Sequence, residues 1–206
     1  GMVEQQVETI GVNQMYVYNR GRGDGTTLNL DPNEMFDLAA EYPDLITGVS
    51  PWVSGPQGIR VNGTEYKKTG IMGVSESMYR PETHTTLDGD TLAQGRYLQY
   101  VDMLRRQKVC VVGAYVADKA LVGDALNKTI LIGGVPYTVV GVLEKTTDIA
   151  MEGGSDDKVF IPYENAMEMT GSRDVGLYQI TCTSRDTAAQ AKEIVSKTMM
   201  ELYQDS

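Results

Sequence analysis

Apolar and polar positions along this chain alternate between two periods, and the changes of period mark out the elements. Residues 30–42 carry the clearest helical signal: Met35, Leu38, Ala39 and Tyr42 recur at the spacing that lines one face of a helix. Asp31 stands where a cap belongs, Pro32 fits the first helical position, Glu34 sits where a capping box places its acid, and Pro43 stops the run. A second long helix is predicted from Thr187 to about Tyr203, capped by Asp186, with Ala188, Ala191, Val195, Met199 and Leu202 on its apolar face. At the other end of the chain Val3, Val7 and Ile10 repeat at helical spacing, which predicts a helix over residues 3–12 that Gly11 ends.

Strand signals fill the space between. Residues 14–19 alternate polar and apolar. Ile59-Arg60-Val61 and Thr64-Glu65-Tyr66 flank Asn62-Gly63, a dipeptide favoured in two-residue hairpin turns because both of its residues adopt positive φ. Residues 46–53 and 71–74 are extended. From Ser75 the texture changes: residues 78–92 are polar and turn-rich, and residues 95–102 are aromatic and loop-like. The run 108–112 predicts a buried strand ended by Gly113, residues 115–122 a short helix, and residues 129–143 two strands about Gly133-Gly134. A Gly/Asp loop at 149–158, a strand at 159–161 closed by Pro162, and a strand at 177–183 complete the pattern. A strand–helix pair at each end, around a strand-rich middle, predicts an α+β (mixed α/β) fold with an insertion. Residues 1–74 and 168–206 would form one discontinuous subdomain, and residues 75–167 the inserted one.

Composition narrows the class. With 41% hydrophobic and 22% charged residues, the chain is ordinary globular material able to bury a core. A net charge of −10 opposes nucleic-acid binding, which draws its affinity from clustered Lys and Arg. The densest basic group, Arg105, Arg106 and Lys108, reads as a solvated helix end. No run approaches the ~20 apolar residues that span a bilayer, and the start lacks the basic-then-apolar pattern of a signal peptide. Gly1 ahead of Met2 reads as a tag remnant, so the chain is expected to be a fragment of a longer protein.

Candidate chemistry is sparse. His84, the single histidine, lies in a polar, Thr-rich loop, and Ser50, Ser75 and Ser77 show none of the strained-turn context of a nucleophile. Asp88-Gly89-Asp90 and Asp156-Asp157 could ligate calcium, but neither has the spacing of an EF-hand, and turn formation is the favoured role. Cys110 and Cys182 sit in apolar, β-branched runs and read as buried small hydrophobes that nothing in the sequence brings together. One His and two distant Cys do not make a zinc site. The loop around Gly21, Gly23 and Gly25 lacks the helix start with a Lys-Ser/Thr pair that a phosphate cradle needs. Met35 and Met199 are expected in the core and not on a binding surface. The expectation is no catalytic, cofactor or metal site.

Several ordered motifs together carry a resemblance. Glu8-Thr9-Ile10-Gly11-Val12-Asn13 precedes the first strand; Gly95-Arg96-Tyr97-Leu98 is followed by Asp102; residues 109–113 are followed by Val116-Ala117. Val135-Pro136-Tyr137-Thr138-Val139-Val140-Gly141-Val142-Leu143 and residues 157–163 complete the series. Their order and spacing over essentially the whole chain resemble the periplasmic core domain of MacB-like ABC transporter permeases, which carry the FtsX-like membrane fold. One departure is Asn127, where the family usually has Gly; Asn is the side chain that best tolerates a left-handed backbone, so the turn is expected to persist.

The resemblance implies an extracytoplasmic domain between the first two membrane helices. It implies a porter-like subdomain of strand–helix–strand units with a smaller insert, the terminal helices being stubs that run to the membrane. It implies a non-catalytic module coupling ATP-driven permease motion to export of peptides, drugs or lipoprotein-like cargo. The implied partners are a cytoplasmic ATPase subunit or domain, a membrane-fusion adaptor and a second permease, with no nucleic acid. A different class, a sensor of antimicrobial peptides or a regulator of cell-wall hydrolases, also fits an FtsX-like permease; salt-sensitive binding of a cationic peptide would distinguish it. An extracellular enzyme lacks a catalytic constellation.

Overall fold

β1 (Val7–Ile10) and β2 (Gln14–Tyr18) form an antiparallel pair with Val7 opposite Val17 and Ile10 opposite Gln14. The structure is a computed structural model that describes residues 7–11, 13–18 and 30–205, with side chains to Leu202. The helix expected over residues 3–12 is therefore corrected where it is described. Three apolar positions are a weak helical period, and the β-branched Val7, Thr9 and Ile10 suit a ladder with β2. Residues 3–6 and 12, and the Gly-rich loop at 20–27, lie outside the described residues.

α1 (Pro32–Glu41) forms as its sequence dictates. Asp31 is extended at φ −68°, its carboxylate accepts from the Asn33 N–H at 2.8 Å, and Pro32 occupies the first turn. Met35 and Leu38 are buried, while β3 (Ile46–Ser54) follows after Pro43. The chain then builds β4 (Ile59–Val61), β5 (Thr64–Tyr66), β6 (Gly70–Val74), β7 (Tyr79–Arg80), β8 (Thr85–Thr86) and β9 (Leu92–Gly95). Next come α2 (Tyr100–Leu104), β10 (Val109–Val112), a π-helical turn at Val116–Ala120, β11 (Thr129–Ile132) and β12 (Val135–Leu143). β13 (Lys158–Pro162), α3 (Tyr163–Thr170), β14 (Leu177–Cys182) and α4 (Ala188–Asp205) complete the mixed α+β chain.

These elements fall into two units, one of Gly1–Trp52 with Arg173–Ser206 and one of Val53–Ser172. In the first, the strand order is β1-β2-β14-β3, all antiparallel, with Ile180 opposite both Met15 and Val49. Its core holds Met15, Val17, Leu30, Met35, Tyr178 and Ile180. The Tyr178 hydroxyl donates to the Leu30 carbonyl at 2.5 Å, which satisfies a phenol buried among apolar groups. α4 buries Ala188, Ala191, Val195 and Met199, the face expected from their spacing. At its start the Ser184 and Thr187 side chains exchange hydrogen bonds with nearby backbone N–H groups, where Asp186 was the expected cap.

In the second unit the order runs β6-β13-β10-β12-β11-β4-β5, with β9 on β12 and Val53 and Ser54 on β6. β6 with β13 and β10 with β12 are parallel pairs, and the remainder are antiparallel. The borders expected at 74/75 and 167/168 both lie inside this unit. β6 hydrogen-bonds to β13 over five register pairs and β4 reaches β11, so the stretch before Ser75 is tied to strands that come much later. Asn62 (φ 49°) with Gly63 (φ 82°) and Gly133 (φ 57°) with Gly134 (φ 78°) make the two expected hairpin turns. Asn127 is left-handed at φ 66°.

Candidate interaction surface

The most constrained feature of the second unit is the approach to α2. Gly95 (φ 71°) and Gly141 let β9 and β12 cross where a Cβ on either would meet backbone, the Val140 carbonyl and the Arg96 carbonyl respectively. The Arg96 N–H donates to the Val140 carbonyl at 2.9 Å, and Tyr97 and Leu98 turn into the core. Asp102 is 2% exposed. Its Oδ2 accepts from Arg96 Nη1 at 2.8 Å and from the Gln99 N–H at 2.8 Å, and its Oδ1 accepts from Arg96 Nη2 at 3.3 Å. A buried carboxylate is tolerated only with such donors. Gln99 and Asp102 complete a capping box at the start of α2.

With Asp102 and Met103 turned inward, the other side of α2 faces solvent: Tyr100 is 65% exposed, Leu104 67%, and Val101 is exposed beside them. These positions are four and three residues apart, so they form one apolar patch. Sequence reading missed it because the segment looked like an aromatic loop; the signal was Tyr100, Val101 and Leu104 at helical spacing. Arg105 caps the C-terminus of α2, with Lys108 exposed just beyond. Arg106 (φ 47°) pairs with Glu164 at 2.6 Å. The basic trio is the exposed helix end that its composition suggested.

A second exposed apolar feature is the loop from Glu144 to Asp157. Ile149 (68% exposed) and Met151 (59%) project from it, among the exposed acids Glu144, Asp148 and Glu152. The buried carboxylates at its base hold its shape. Asp156 accepts from the Thr146 N–H at 3.0 Å and the Thr146 hydroxyl at 2.7 Å. Asp157 accepts from the Thr69 hydroxyl at 2.6 Å and the Gly153 N–H at 2.8 Å. Asp90 accepts from Lys158 Nζ at 2.8 Å. Of the acids weighed as calcium ligands, Asp90, Asp156 and Asp157 thus serve the protein's own donors, and Asp88 is exposed; among the described residues no group of three or more His, Cys, Asp or Glu comes together as a metal site.

The other candidates are dispersed. His84 (φ 57°) has Nδ1 3.1 Å from the Tyr79 hydroxyl. Ser75 Oγ accepts from the Ser77 N–H at 3.2 Å, and the Ser50 hydroxyl donates to the Pro51 carbonyl at 2.9 Å. Cys110 and Cys182 are both buried and unbridged, and burial pushes both thiols up from their ordinary pKa. Met35 and Met199 are buried in the core. A depression of about 490 Å³, lined by Ile59, Arg60, Lys67 and Leu131 among others, lies beside the β4–β5 hairpin; Arg60 there is paired with Glu65. No helix among the described residues is long and apolar enough to cross a membrane.

Comparison with known proteins adds the wider context. A family model described as the MacB-like periplasmic core domain matches residues 1–198. The macrolide export ATP-binding/permease protein MacB of Hahella chejuensis is 28% identical over 168 residues, covering 80% of this chain and 24% of that protein. The pyoverdine export ATP-binding/permease protein PvdT of Pseudomonas syringae pv. tomato is 23% identical over 205 residues, covering 98% of this chain and 30% of that protein. The chain thus spans 24% and 30% of the length of these two relatives. Among solved structures, the periplasmic region of MacB from Actinobacillus actinomycetemcomitans aligns with a TM-score of 0.70 at 20% identity, covering 96% of this chain and 95% of that one. The extracellular domain of the ABC-type transporter YknZ from Gram-positive bacteria aligns with a TM-score of 0.69 at 15% identity, covering 94% of each chain. Both likenesses are of fold.

Proposed function

The chain belongs to the MacB-like periplasmic core domain family, the extracytoplasmic domain of MacB-like ABC transporter permeases, and on that premise we propose that it is a non-catalytic coupling module. It transmits ATP-driven movement of the permease to exported cargo, or to an adaptor, outside the membrane. The observation that carries this reading is the placement of the first and last described elements. β1 and α4 both belong to the first unit, and the second unit, Val53–Ser172, is inserted within it. Movement of flanking membrane segments therefore acts on the first unit, and the inserted unit is the part left to engage something else. Its exposed apolar groups, on α2 and on the loop after β12, suit that task. The ATPase is a cytoplasmic subunit or domain, in keeping with the ATP-binding/permease names of the relatives.

The register of the first unit supplies a direct test. Trp52 pairs with Leu177 across β3 and β14. Excising residues 53–172 leaves residues 173–176 to close that hairpin, a length that natural hairpin loops use. In the full-length permease this excision is expected to preserve assembly and ATP hydrolysis and to abolish export. Export at the intact rate without the inserted unit would refute the reading. The net charge of −10 favours a sensor of cationic peptides as the second reading. Under that reading the isolated chain binds a cationic peptide in a salt-sensitive way and ignores a neutral macrolide-like compound.

A further inference from the structure

β11, β4 and β5 close one end of the second unit's sheet, and they carry a row of side chains on one face. Leu131 stands opposite Arg60, and Arg60 stands opposite Glu65. Side chains alternate along a strand, so Gly133, Gly58 and Lys67, each two positions from a member of that row, fall on the same side. Gly58, at φ 93°, lies so close to the next strand that a Cβ would come 3.4 Å from Lys67 Cα. With no side chains at Gly58 and Gly133 the face sinks, which forms the depression of about 490 Å³ that Ile59 and Gln57 also line.

That volume is in the ~300–1,000 Å³ range of small-molecule sites, and the charge of the hollow is opposite to that of the molecule. Arg60 and Lys67 line it against one acid, Glu65, on a chain whose net charge is −10. Glu65 is already engaged by the Arg60 guanidinium. Lys67 is exposed and makes no ion pair among the described residues. One cation therefore stands uncompensated at a hollow whose remaining lining is chiefly the apolar Ile59 and Leu131 and bare glycine backbone. A concave wall of low polarity concentrates the field of such a charge on whatever enters.

We propose that this hollow is a binding site for a small apolar carboxylate, its anionic end on Lys67 and its apolar body against Ile59 and Leu131. The charge count selects the class. A cationic ligand meets Lys67 with no free acid to receive it, because Glu65 is taken by Arg60. A neutral ligand gains the apolar wall and forgoes the cation, and a small polar anion does the reverse. The site is open to solvent and its ligand has few atoms, so the dissociation constant is on the order of 0.1–1 mM. The inference concerns the second unit alone and does not depend on the export reading, so binding is measured on the chain itself.

Nuclear magnetic resonance titration of the methyl-labelled chain with naphthoate, up to ~10 mM, tests this. Saturable shifts are expected at the Ile59 and Leu131 methyls. Naphthylmethanol, which keeps the ring and loses the charge, should bind about fivefold more weakly, and naphthylmethylammonium should not saturate. Lys67→Gln should weaken naphthoate binding about fivefold, the worth of one charge near a wet surface. Glu65→Gln removes the acid and frees Arg60, so it should tighten binding by a similar factor. Both positions are exposed, so circular dichroism should be unchanged in either variant. A merely structural role for these residues would not move affinity in opposite directions. No saturable shift at Ile59 and Leu131, a neutral analogue that binds as tightly as the anion, or an affinity that the two variants fail to move in opposite directions would each overturn the proposal.

Discussion

Replacing Asp102 with Ala removes three hydrogen bonds at once: two from Arg96 and one from the Gln99 N–H. Loss of a helix cap costs ~1 kcal/mol. Breaking a fully buried ion pair costs ~3–5 kcal/mol, but the Arg96 side chain is 37% exposed against 3% for Asp102, so the freed guanidinium can be rehydrated. A share of ~2 kcal/mol for the pair is therefore the reasonable figure, and the total is about 3 kcal/mol. At about 4 °C per kcal/mol for a domain of this size, the second unit should melt about 10 °C earlier. Asp102→Asn keeps an acceptor for the Gln99 N–H and should lose roughly half as much. Thermal and urea unfolding followed by circular dichroism would measure both. An Asp102→Ala chain that melts within ~2 °C of wild type would refute the claim that this buried carboxylate holds α2 in place.

Gly141→Ala sets a Cβ against the Arg96 carbonyl, and because backbone cannot step aside it should cost ~3 kcal/mol or more, read as loss of the folded fraction in urea. At Asn127, held at φ 66°, an Ala substitution should cost ~1 kcal/mol while Gly should be neutral or slightly stabilising; paired urea titrations separate the two. Burial raises the pKa of Cys110 and Tyr163, so in the native state both stay protonated at pH values where the unfolded chain ionises. Stability should therefore be intact below pH ~8.5 and fall as pH rises above it, by up to ~1.4 kcal/mol per pH unit for each group past its unfolded pKa. Urea midpoints between pH 7 and 10 check this. Over the same range Cys110 should resist thiol reagents until the chain unfolds.

What the sequence disclosed, and what it hid, follows the range of the interactions involved. α1, α4, the Asn62-Gly63 turn and the left-handed Asn127 depend on neighbours a few residues away, and all were readable. β1 was misread because its pairing with β2 outweighs a three-point helical period. The two units divide after Trp52 and after Ser172, while the sequence reading drew its borders at 74/75 and 167/168, because β4 and β6 acquire their partners, β11 and β13, from far downstream. The same holds for the site. The turn-forming role of Asp90, Asp156 and Asp157 was visible in their loops, but the Thr69 hydroxyl that satisfies Asp157 lies 88 residues away. The apolar face of α2 went unseen because it is defined by what Asp102 and Arg96 bury on the other side.

The coupling claim can be tested most directly by distance measurement in the full-length permease. Val122 is 83% exposed in the second unit, and Cys110 and Cys182 are buried, so Val122→Cys takes a spin label selectively. Electron–electron resonance between the labels of two permease copies should show a distance distribution that shifts by several ångströms between nucleotide-free and ATP-bound states. Identical distributions in the two states, in a preparation that hydrolyses ATP, would contradict the account.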